Sequence, residues 1–240
     1  MLPVLHLDDH LVALHKPSGL LVHRSMLDRH ETRFALQEAR DQLGRHVHAI
    51  HRLDRGTSGV LLFGLDPDSA RAVSQQFEAG TVGKRYLAVV RGWPPAAGEI
   101  DHPLSRQYDD YERAPDVAAE PQAAHTRYRT LATVELPHGV DRYPTSRYAL
   151  VELEPLTGRR HQLRRHLKHL SHPIIGDATH GKGRHNRLFT ELFGSQRMLL
   201  ACTRLAFDHP HGGSRIVVDC PPSEDFAAVC RALGWGARAG

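Results

Sequence analysis

A continuous apolar run followed at once by helix-starting residues constrains the fold of this chain more than any other feature of its sequence. The run, Val60–Leu65, has the length and composition of a strand buried within a sheet. Asp66, Pro67 and Ser69 follow it, and these residue types are typical of a helix N-terminus, which predicts a helix to about Phe77. The chain must therefore pack a strand and a helix in adjacent layers.

Other segments extend this mixture of strands and helices along the chain. Short apolar runs separated by turn residues predict strands, and apolar residues at near-helical spacing predict helices, the first of which ends at Gly44. The order of these elements favours an α+β fold with a mixed sheet. The predicted strands lie at 4–7, 11–14, 20–22, 84–92 and 148–153, and the predicted helices at 32–43 and 159–170.

Residues 93–122 are rich in Pro, Ala, Asp and Glu and show little periodicity. Such a composition is typical of a connection rather than of a helix or a strand. We expect this segment to be a flexible excursion that lies outside the core.

The composition argues against a membrane or a disulfide-stabilised protein. The 240 residues are 40% hydrophobic and 24% charged, as in an ordinary globular protein. No apolar run approaches the roughly 20 residues of a membrane span, and the N-terminus has no signal-peptide pattern. Cys202, Cys220 and Cys230 are widely spaced, which predicts free thiols. We therefore expect a cytoplasmic protein that makes no membrane contact.

The balance of charge favours a polyanionic partner. The formal net charge is +4, and 19 histidines accompany 31 lysines and arginines. A nucleic acid would suit this balance, although charge alone does not identify a partner.

Asp54 is the residue whose neighbours in the sequence most clearly suggest a catalytic role. It lies between Arg52 and Arg55 in a glycine-rich turn, just before the apolar run at 60–65. Flanking guanidinium groups favour an ionised carboxylate, and glycines allow close backbone approach, so Asp54 could act as a nucleophile or a base. A residue that merely caps the turn and pairs with an arginine is the alternative, and from Asp54 alone it is the more common case.

Two other kinds of active site are disfavoured by nearby residues. The segment 56–59 is one residue too short for the G-x-S-x-G turn of a serine hydrolase. His46, His48 and His51 suggest a metallohydrolase, but Ile50 stands where that motif needs an aspartate. No metal site is therefore predicted.

The complete segment His51–Gly59 resembles the signature of the RluA-type pseudouridine synthases, usually written H-R-L-D-x-x-T-S-G, and all of its fixed positions are present. This family modifies uridines in ribosomal and transfer RNA. The resemblance implies the pseudouridine synthase fold, in which helices and loops flank a central mixed, mainly antiparallel sheet. It also implies that Asp54 is the catalytic carboxylate.

Three further segments resemble motifs of the same family. Tyr86, in Lys-Arg-Tyr at the head of a strand, matches the tyrosine that packs against the target base and has been considered for proton transfer. Arg164, in Thr-Gly-Arg-Arg-His-Gln-Leu-Arg, matches the arginine that pairs with the catalytic aspartate. Lys16–Gly19 matches the N-terminal K-P-x-G segment.

The resemblance also implies residues that bind the RNA. Arg52 is the candidate to stabilise the structure after the target base leaves its stack, and Leu200 is the candidate to pack against that base. Where the family reads L-H-A this chain has Leu200, Ala201 and Cys202, so the family's histidine is missing. On a helix that begins near residue 159, His161, Arg164 and Lys168 would share a basic face.

Arg165 and Lys168 are accordingly predicted to contact phosphates, although a solvated charged surface is the alternative. Isomerisation adds and removes no atoms, so we expect no cofactor. Stretches outside the signature are most similar to the branch of the family that acts on tRNA at position 65. We therefore expect a monomer with tRNA as its partner and one catalytic domain over 1–240, without a separate N-terminal RNA-binding domain. A ribosomal RNA synthase, a non-catalytic RNA-binding protein of this fold and a metal-dependent hydrolase are the alternatives.

Overall fold

The computed structural model describes residues 1–24, 31–107 and 120–238. Within these ranges ten strands form one sheet. The strands are β1 (Val4–Leu7), β2 (Leu11–Lys16), β3 (His48–Ala49), β4 (Ser58–Gly64), β5 (Gly83–Arg91), β6 (Ala97–Asp101), β7 (His125–Leu136), β8 (Ser146–Pro155), β9 (Leu200–Asp208) and β10 (Arg215–Asp219).

The sheet is mixed and mainly antiparallel, which confirms the predicted α+β class. Its main path runs β1-β2-β4-β9-β5-β8-β7-β6, while β3 pairs with β4 and β10 with β9. Among the described strands, the only parallel pairing joins β4 to β9, where Ser58 lies opposite Ala201 and Gly59 opposite Cys202. This pairing joins the strands of the first third of the chain to the strands that follow.

Gly59 is required where β4 meets β9. Its φ of +112° lies in the region that favours glycine, and a Cβ there would lie 2.0 Å from the Cys202 carbonyl oxygen. The glycine of the sequence signature therefore permits the closest approach between the two strands.

Five α-helices within the described ranges cover the sheet, and α2 is the one whose sequence signals agree best with the structure. In α2, the Asp66 carboxylate accepts from the Ser69 amide over 2.8 Å, Pro67 occupies the first turn, and Gly80 ends the helix in a left-handed conformation. The helices are α1 (Ala35–Leu43), α2 (Pro67–Ala79), α3 (Gln162–His169), α4 (Gly183–Phe193) and α5 (Glu224–Ala232).

Apolar side chains pack on both faces of the sheet. Strand β4 is buried throughout and β2 at all positions but His15, and their apolar residues form one cluster with α1 and α2, to which Ala35 and Val73 contribute. Alternate residues of β5 divide between two other clusters, so that Val90 packs with Leu163 of α3, and Val89 packs with Phe189 of α4. The second part of the sheet is thus covered by α3 on one face and by α4 and α5 on the other.

The expectation of a flexible excursion at 93–122 is wrong for its described ends. Strand β6 pairs antiparallel with β7, Ile100 is buried in the core, and Leu104 forms a bridge with Gln122. The strand depends on a partner that begins at His125, so periodicity within the segment could not reveal it. The part of this prediction that falls on 108–119 lies outside the described residues.

Two smaller predictions also differ from the structure. Residues 20–22 form only a single bridge between Leu21 and Phe34, rather than a strand. Helix α3 begins at Gln162 rather than near residue 159, because His161 has a left-handed backbone with φ 53°. No helix in the described ranges is long and apolar enough to cross a membrane.

Candidate active site

Asp54 lies in a turn that buried neighbours hold in place. Leu53 packs in the same apolar cluster as β4, and Thr57 is buried at the start of that strand. The Thr57 amide donates to the Asp54 carbonyl oxygen over 3.0 Å and closes the turn. The Asp54 side chain remains 28% exposed and is therefore accessible to a substrate.

The segment Lys16–Gly19 braces this turn. Lys16 is fully buried, and its ammonium group donates to the Arg55 carbonyl oxygen over 3.1 Å and to two carbonyl oxygens of its own loop. The Ser18 hydroxyl donates to the Gly56 carbonyl oxygen over 2.7 Å. Burial lowers the pKa of Lys16 to about 7, although Asp54 opposes this shift. The K-P-x-G segment thus fixes the backbone that follows Asp54.

Arg164 links Asp54 to a second carboxylate. Its Nη1 donates to Asp54 Oδ2 over 3.0 Å, and its Nε and Nη2 donate to the two oxygens of Asp177 over 2.7 and 2.8 Å. Asp177 is 1% exposed, and the amides of Thr179 and His180 also donate to it. Arg164 is therefore fixed by a bidentate pair on one side and directed at Asp54 on the other.

Asp177 is ionised in this arrangement. Burial acts to raise the pKa of Asp177, but the hydrogen bonds from Arg164 and from the backbone amides outweigh it and hold the pKa below its usual range. Its negative charge compensates the buried guanidinium group, which leaves the net charge of the Arg164–Asp177 pair close to zero.

His161 lies beside this network but not on the helix. Its Nε2 is 3.9 Å from Asp54 Oδ2, and its Nδ1 is 3.1 Å from His180 Nε2. Burial lowers the pKa of His161 to about 4 in spite of the nearby Asp54 carboxylate. The imidazole is thus neutral near pH 7. The predicted basic face is wrong, since His161 lies in a turn before α3 and Arg164 is buried.

Tyr86 approaches the site from β5. It lies opposite Cys202 of β9. Burial raises the pKa of Tyr86 well above its usual value, and Cys202 and Asp54 raise it further. Burial also raises the pKa of Cys202 to about 12. Both groups are therefore protonated at neutral pH, and Tyr86 can donate a hydrogen bond but is a poor base.

A cavity of about 790 Å³ brings several of the predicted residues together. Asp54, Arg52, His161 and Arg164 all line it. Five arginines and three aspartates contribute to its walls, so the positive charges exceed the negative ones and suit a phosphate backbone. The arginines are Arg52, Arg55, Arg160, Arg164 and Arg197, and the aspartates are Asp54, Asp177 and Asp225.

Four predicted residues lie outside the lining of this cavity. Leu200 is buried in the cluster under α3, and the neighbouring Met198 lines the cavity instead. Asp54 is close enough to raise the pKa of Tyr86, but Tyr86 is not among the residues that line the cavity. Arg165 donates to the Ser105 carbonyl oxygen over 2.9 Å, and Lys168 is exposed on α3.

The sequence did not reveal three residues that organise the site. Lys16 lies in the K-P-x-G segment and Asp177 in no motif named above, and a buried role for either is invisible without the fold. Arg197 donates to the Ser58 hydroxyl over 2.6 Å and to Asp225 over 2.8 Å, and its side chain is only 8% exposed. An isolated arginine before a strand gives no signal of such a role.

The histidines at 46, 48 and 51 are engaged in other contacts. His51 Nε2 accepts from the Leu62 amide over 3.1 Å, and its ring stacks on Phe77. Burial lowers the pKa of His51 to about 4, so the ring is a neutral acceptor. His46 Nε2 lies 2.8 Å from the Arg40 guanidinium group, a cation that would repel a metal ion.

The fold is that of the pseudouridine synthases. The solved structure of Human RNA Pseudouridylate Synthase Domain Containing 4 matches with a TM-score of 0.70 and 29% sequence identity, over 96% of this chain and 92% of that one. Human RNA Pseudouridylate Synthase Domain Containing 1 has a TM-score of 0.70 at 25% identity, over 92% of this chain and 84% of the other. The family model for RNA pseudouridylate synthase matches residues 10–169. The chain belongs to this family.

Two similar relatives share about half of the sequence. A tRNA pseudouridine synthase C from Salmonella typhi is 50% identical over 238 residues, which cover 98% of this chain and 91% of the relative. A tRNA pseudouridine synthase C from Vibrio cholerae serotype O1 is 47% identical over 236 residues, which cover 98% of this chain and 97% of the relative. The similarity extends well beyond the motifs around Asp54.

Proposed function

We propose that this protein isomerises uridine to pseudouridine in tRNA, with Asp54 as the catalytic carboxylate. One observation carries the proposal: Asp54 lies in the wall of an arginine-rich cavity and accepts from an arginine that a second, buried carboxylate holds in place. A turn cap would not need this support. The names of relatives such as the one from Salmonella typhi favour tRNA as the substrate.

The residues around Asp54 have different roles in the proposed reaction. The glycosidic bond between N1 and C1′ of uridine breaks, the uracil turns, and a bond forms between C5 and C1′. C5 loses its hydrogen as a proton and N1 gains a proton, so the composition of the nucleotide does not change. Arg164 donates a hydrogen bond to the Asp54 carboxylate and orients it, while Lys16 fixes the backbone of the same turn. Tyr86, protonated in its buried position, supplies a hydrogen-bond donor close to the carboxylate.

The target base must leave its stack to reach Asp54, at a cost of a few kcal/mol. Arg52, which lines the cavity beside Asp54, is suited to stabilise the RNA once the base has moved. Arg165 and Lys168 lie on α3, the helix that also carries the cavity residue Arg164. They are suited to phosphate contacts farther along the RNA. Attack of Asp54 on the sugar, attack on the uracil ring and abstraction of a ribose proton all use the same carboxylate.

Replacement of Asp54 tests the catalytic assignment. Asp54→Asn keeps the shape of the side chain but removes its charge, so we expect turnover to be lost while the fold and most of the RNA affinity remain. Release of tritium from tRNA that carries 5-tritiated uridine measures turnover, and a gel-shift titration measures affinity. A matched control is Asp101→Asn, an exposed position on β6. Substantial activity in Asp54→Asn would falsify the assignment.

Wild-type protein that binds tRNA but releases no tritium would instead favour a non-catalytic RNA-binding role. A single catalytic domain and action as a cytoplasmic monomer remain predictions, and position 65 of tRNA is the target that we propose.

A further inference from the structure

A cluster of histidines and aspartates lies outside the cavity around Asp54. It forms where the turn between β1 and β2, the start of α2 and the loop between β9 and β10 meet. His10, Asp66 and His211 each offer one ligand atom, and these atoms all lie within 4.8 Å of one another. None of the three residues lines the cavity that contains Asp54. The cluster therefore has no part in the function proposed above.

We propose that His10, Asp66 and His211 form a binding site for one divalent transition-metal ion of the Zn²⁺ class. Two imidazole nitrogens and one carboxylate oxygen form a donor set that Zn²⁺ accepts, with water as a fourth ligand. The hard cations Mg²⁺ and Ca²⁺ prefer oxygen ligands and fit this set poorly.

The distances within the cluster suit a small coordination sphere. His10 Nδ1 lies 3.5 Å from Asp66 Oδ2. Ligand atoms of a tetrahedral Zn²⁺ with bonds near 2.0–2.1 Å are about 3.4 Å apart, so this pair already has the required spacing. His211 Nε2 lies 3.2 Å from the Ser69 hydroxyl, which itself donates to Asp66 Oδ2 over 2.6 Å. His211 is therefore one hydrogen bond away from the carboxylate.

One of the three side chains must change its orientation before all three can bind the same metal ion. The rings of His10 and His211 are stacked, with centroids 3.8 Å apart and an interplanar angle of 28°. One ring must rotate away from the other before a nitrogen of each can bind the same metal ion. His211 is exposed and precedes Gly212 and Gly213, which both have positive φ angles, 93° and 67°. The loop is thus able to reorient His211 without strain in a side-chain-bearing residue.

The other two ligands are held by the surrounding backbone. The Leu65 amide donates to the His10 carbonyl oxygen over 2.7 Å, and the Asp66 carboxylate is fixed as the N-cap of α2. Asp8 accepts from the His10 amide over 2.8 Å and lies 3.3 Å from His209 Nε2, so it ties the first turn to the loop that carries His211. Supports of this kind orient metal ligands in many proteins.

Titration of the untagged full chain with Zn²⁺ after chelator treatment tests the site. We expect calorimetry to give one Zn²⁺ per chain, and His10→Ala and His211→Ala each to weaken binding at least about tenfold, since loss of even an outer partner of a ligand has effects of this size. Asp66→Asn should weaken binding similarly while it preserves the helix cap, because asparagine caps helices as well as aspartate.

The pair of His46, which is exposed, and His48, which is half-buried, provides the matched control. Their rings lie 4.6 Å apart, but the Arg40 guanidinium group contacts His46. The double variant His46→Ala/His48→Ala should bind Zn²⁺ as the wild type does. Thermal unfolding without Zn²⁺ verifies that each variant folds, and tritium release should be unchanged in His211→Ala. Absence of saturable binding, or equal affinity in wild type, His10→Ala and His211→Ala, would overturn the proposal.

Discussion

At the scale of single residues, the most consequential contact is the buried pair between Arg164 and Asp177. Asp177→Ala would leave the Arg164 guanidinium group buried without its compensating charge. We expect the free energy of unfolding to fall by about 3 kcal/mol, the range seen when one partner of a buried pair is removed. Urea denaturation followed by circular dichroism measures this change.

A surface pair gives the comparison for that measurement. Glu224 and Arg231 form a solvent-exposed ion pair on α5, so Glu224→Ala should leave the urea midpoint unchanged.

Since Asp177 acts through Arg164, kcat of Asp177→Asn should fall more than KM rises. Equal stability of Asp177→Ala and wild type would contradict the central role given to this pair.

Lys16 is expected to make stability depend on pH. Its pKa is lowered from 10.5 to about 7 in the folded protein, so between these values the unfolded chain holds a proton that the folded chain does not. The free energy of unfolding therefore rises with pH across this window, by up to about 5 kcal/mol. Urea midpoints of wild type and Lys16→Met, compared from about pH 6 to about pH 10, measure the difference.

Lys16→Met lacks the titrating group and should lose this rise. Lys182→Met, at an exposed position before α4, is the matched control and should follow the wild type. Parallel pH profiles for wild type and Lys16→Met would show that Lys16 keeps an ordinary pKa in the fold.

Residues differ in how far the sequence can predict their roles. Asp54 and Arg164 were identified through short family motifs, and the 3.0 Å contact between them agrees with the predicted pairing. No spacing in the sequence implies that contact. Asp177 was missed because an aspartate after an apolar run is as common in loops as in sites, and only the fold brings it against Arg164.

At the scale of elements, β6 is one of the strands that the sequence did not reveal. Ile100 is 3% exposed in the core, so Ile100→Ala should reduce the free energy of unfolding by about 2–4 kcal/mol. Urea denaturation again provides the measurement. Val217→Ala, at a half-exposed position on β10, should have little effect and is the matched control. A negligible effect of Ile100→Ala would restore the prediction of a flexible excursion.

The contrast between α2 and β6 shows which elements a sequence specifies. All signals for α2 lie within its own residues: a capping aspartate, a first-turn proline and a terminal glycine. The pairing of β6 with β7 joins residues separated by the segment 102–124, and alanine and glycine at the start of β6 give little strand propensity. The start of α3 was misplaced for a local reason, the left-handed His161, which periodicity does not detect.

At the scale of the whole molecule, the proposed substrate sets the expected behaviour. Position 65 of tRNA lies in a helical stem, where A-form geometry hides the major-groove edges of the bases and leaves shape and backbone as the main cues. A folded tRNA with uridine at this position should therefore be modified far better than an isolated strand with the same local sequence. Sequencing-based mapping of pseudouridine with purified protein measures both substrates.

A tRNA with cytidine at position 65 is the matched control for that experiment and should remain unmodified. Modification at another tRNA position, or only in ribosomal RNA, would contradict the proposed target while leaving the catalytic role of Asp54 intact. Equal modification of the strand and the folded tRNA would indicate that local sequence, and not stem architecture, directs the enzyme.

The junction between β4 and β9 has a consequence for how activity is acquired during folding. Asp54 and Arg164 are separated by 110 residues, and the pairing of β4 with β9 at Gly59 joins the parts of the sheet that carry them. Contacts of such long sequence separation form slowly because the intervening chain must first be closed into a loop. Helix α2 and the β1–β2 hairpin rest on local contacts and can form earlier. After dilution from denaturant, recovery of catalysis should thus be slower than recovery of secondary structure. The rate at which turnover returns would then measure how fast Asp54 and Arg164 come together.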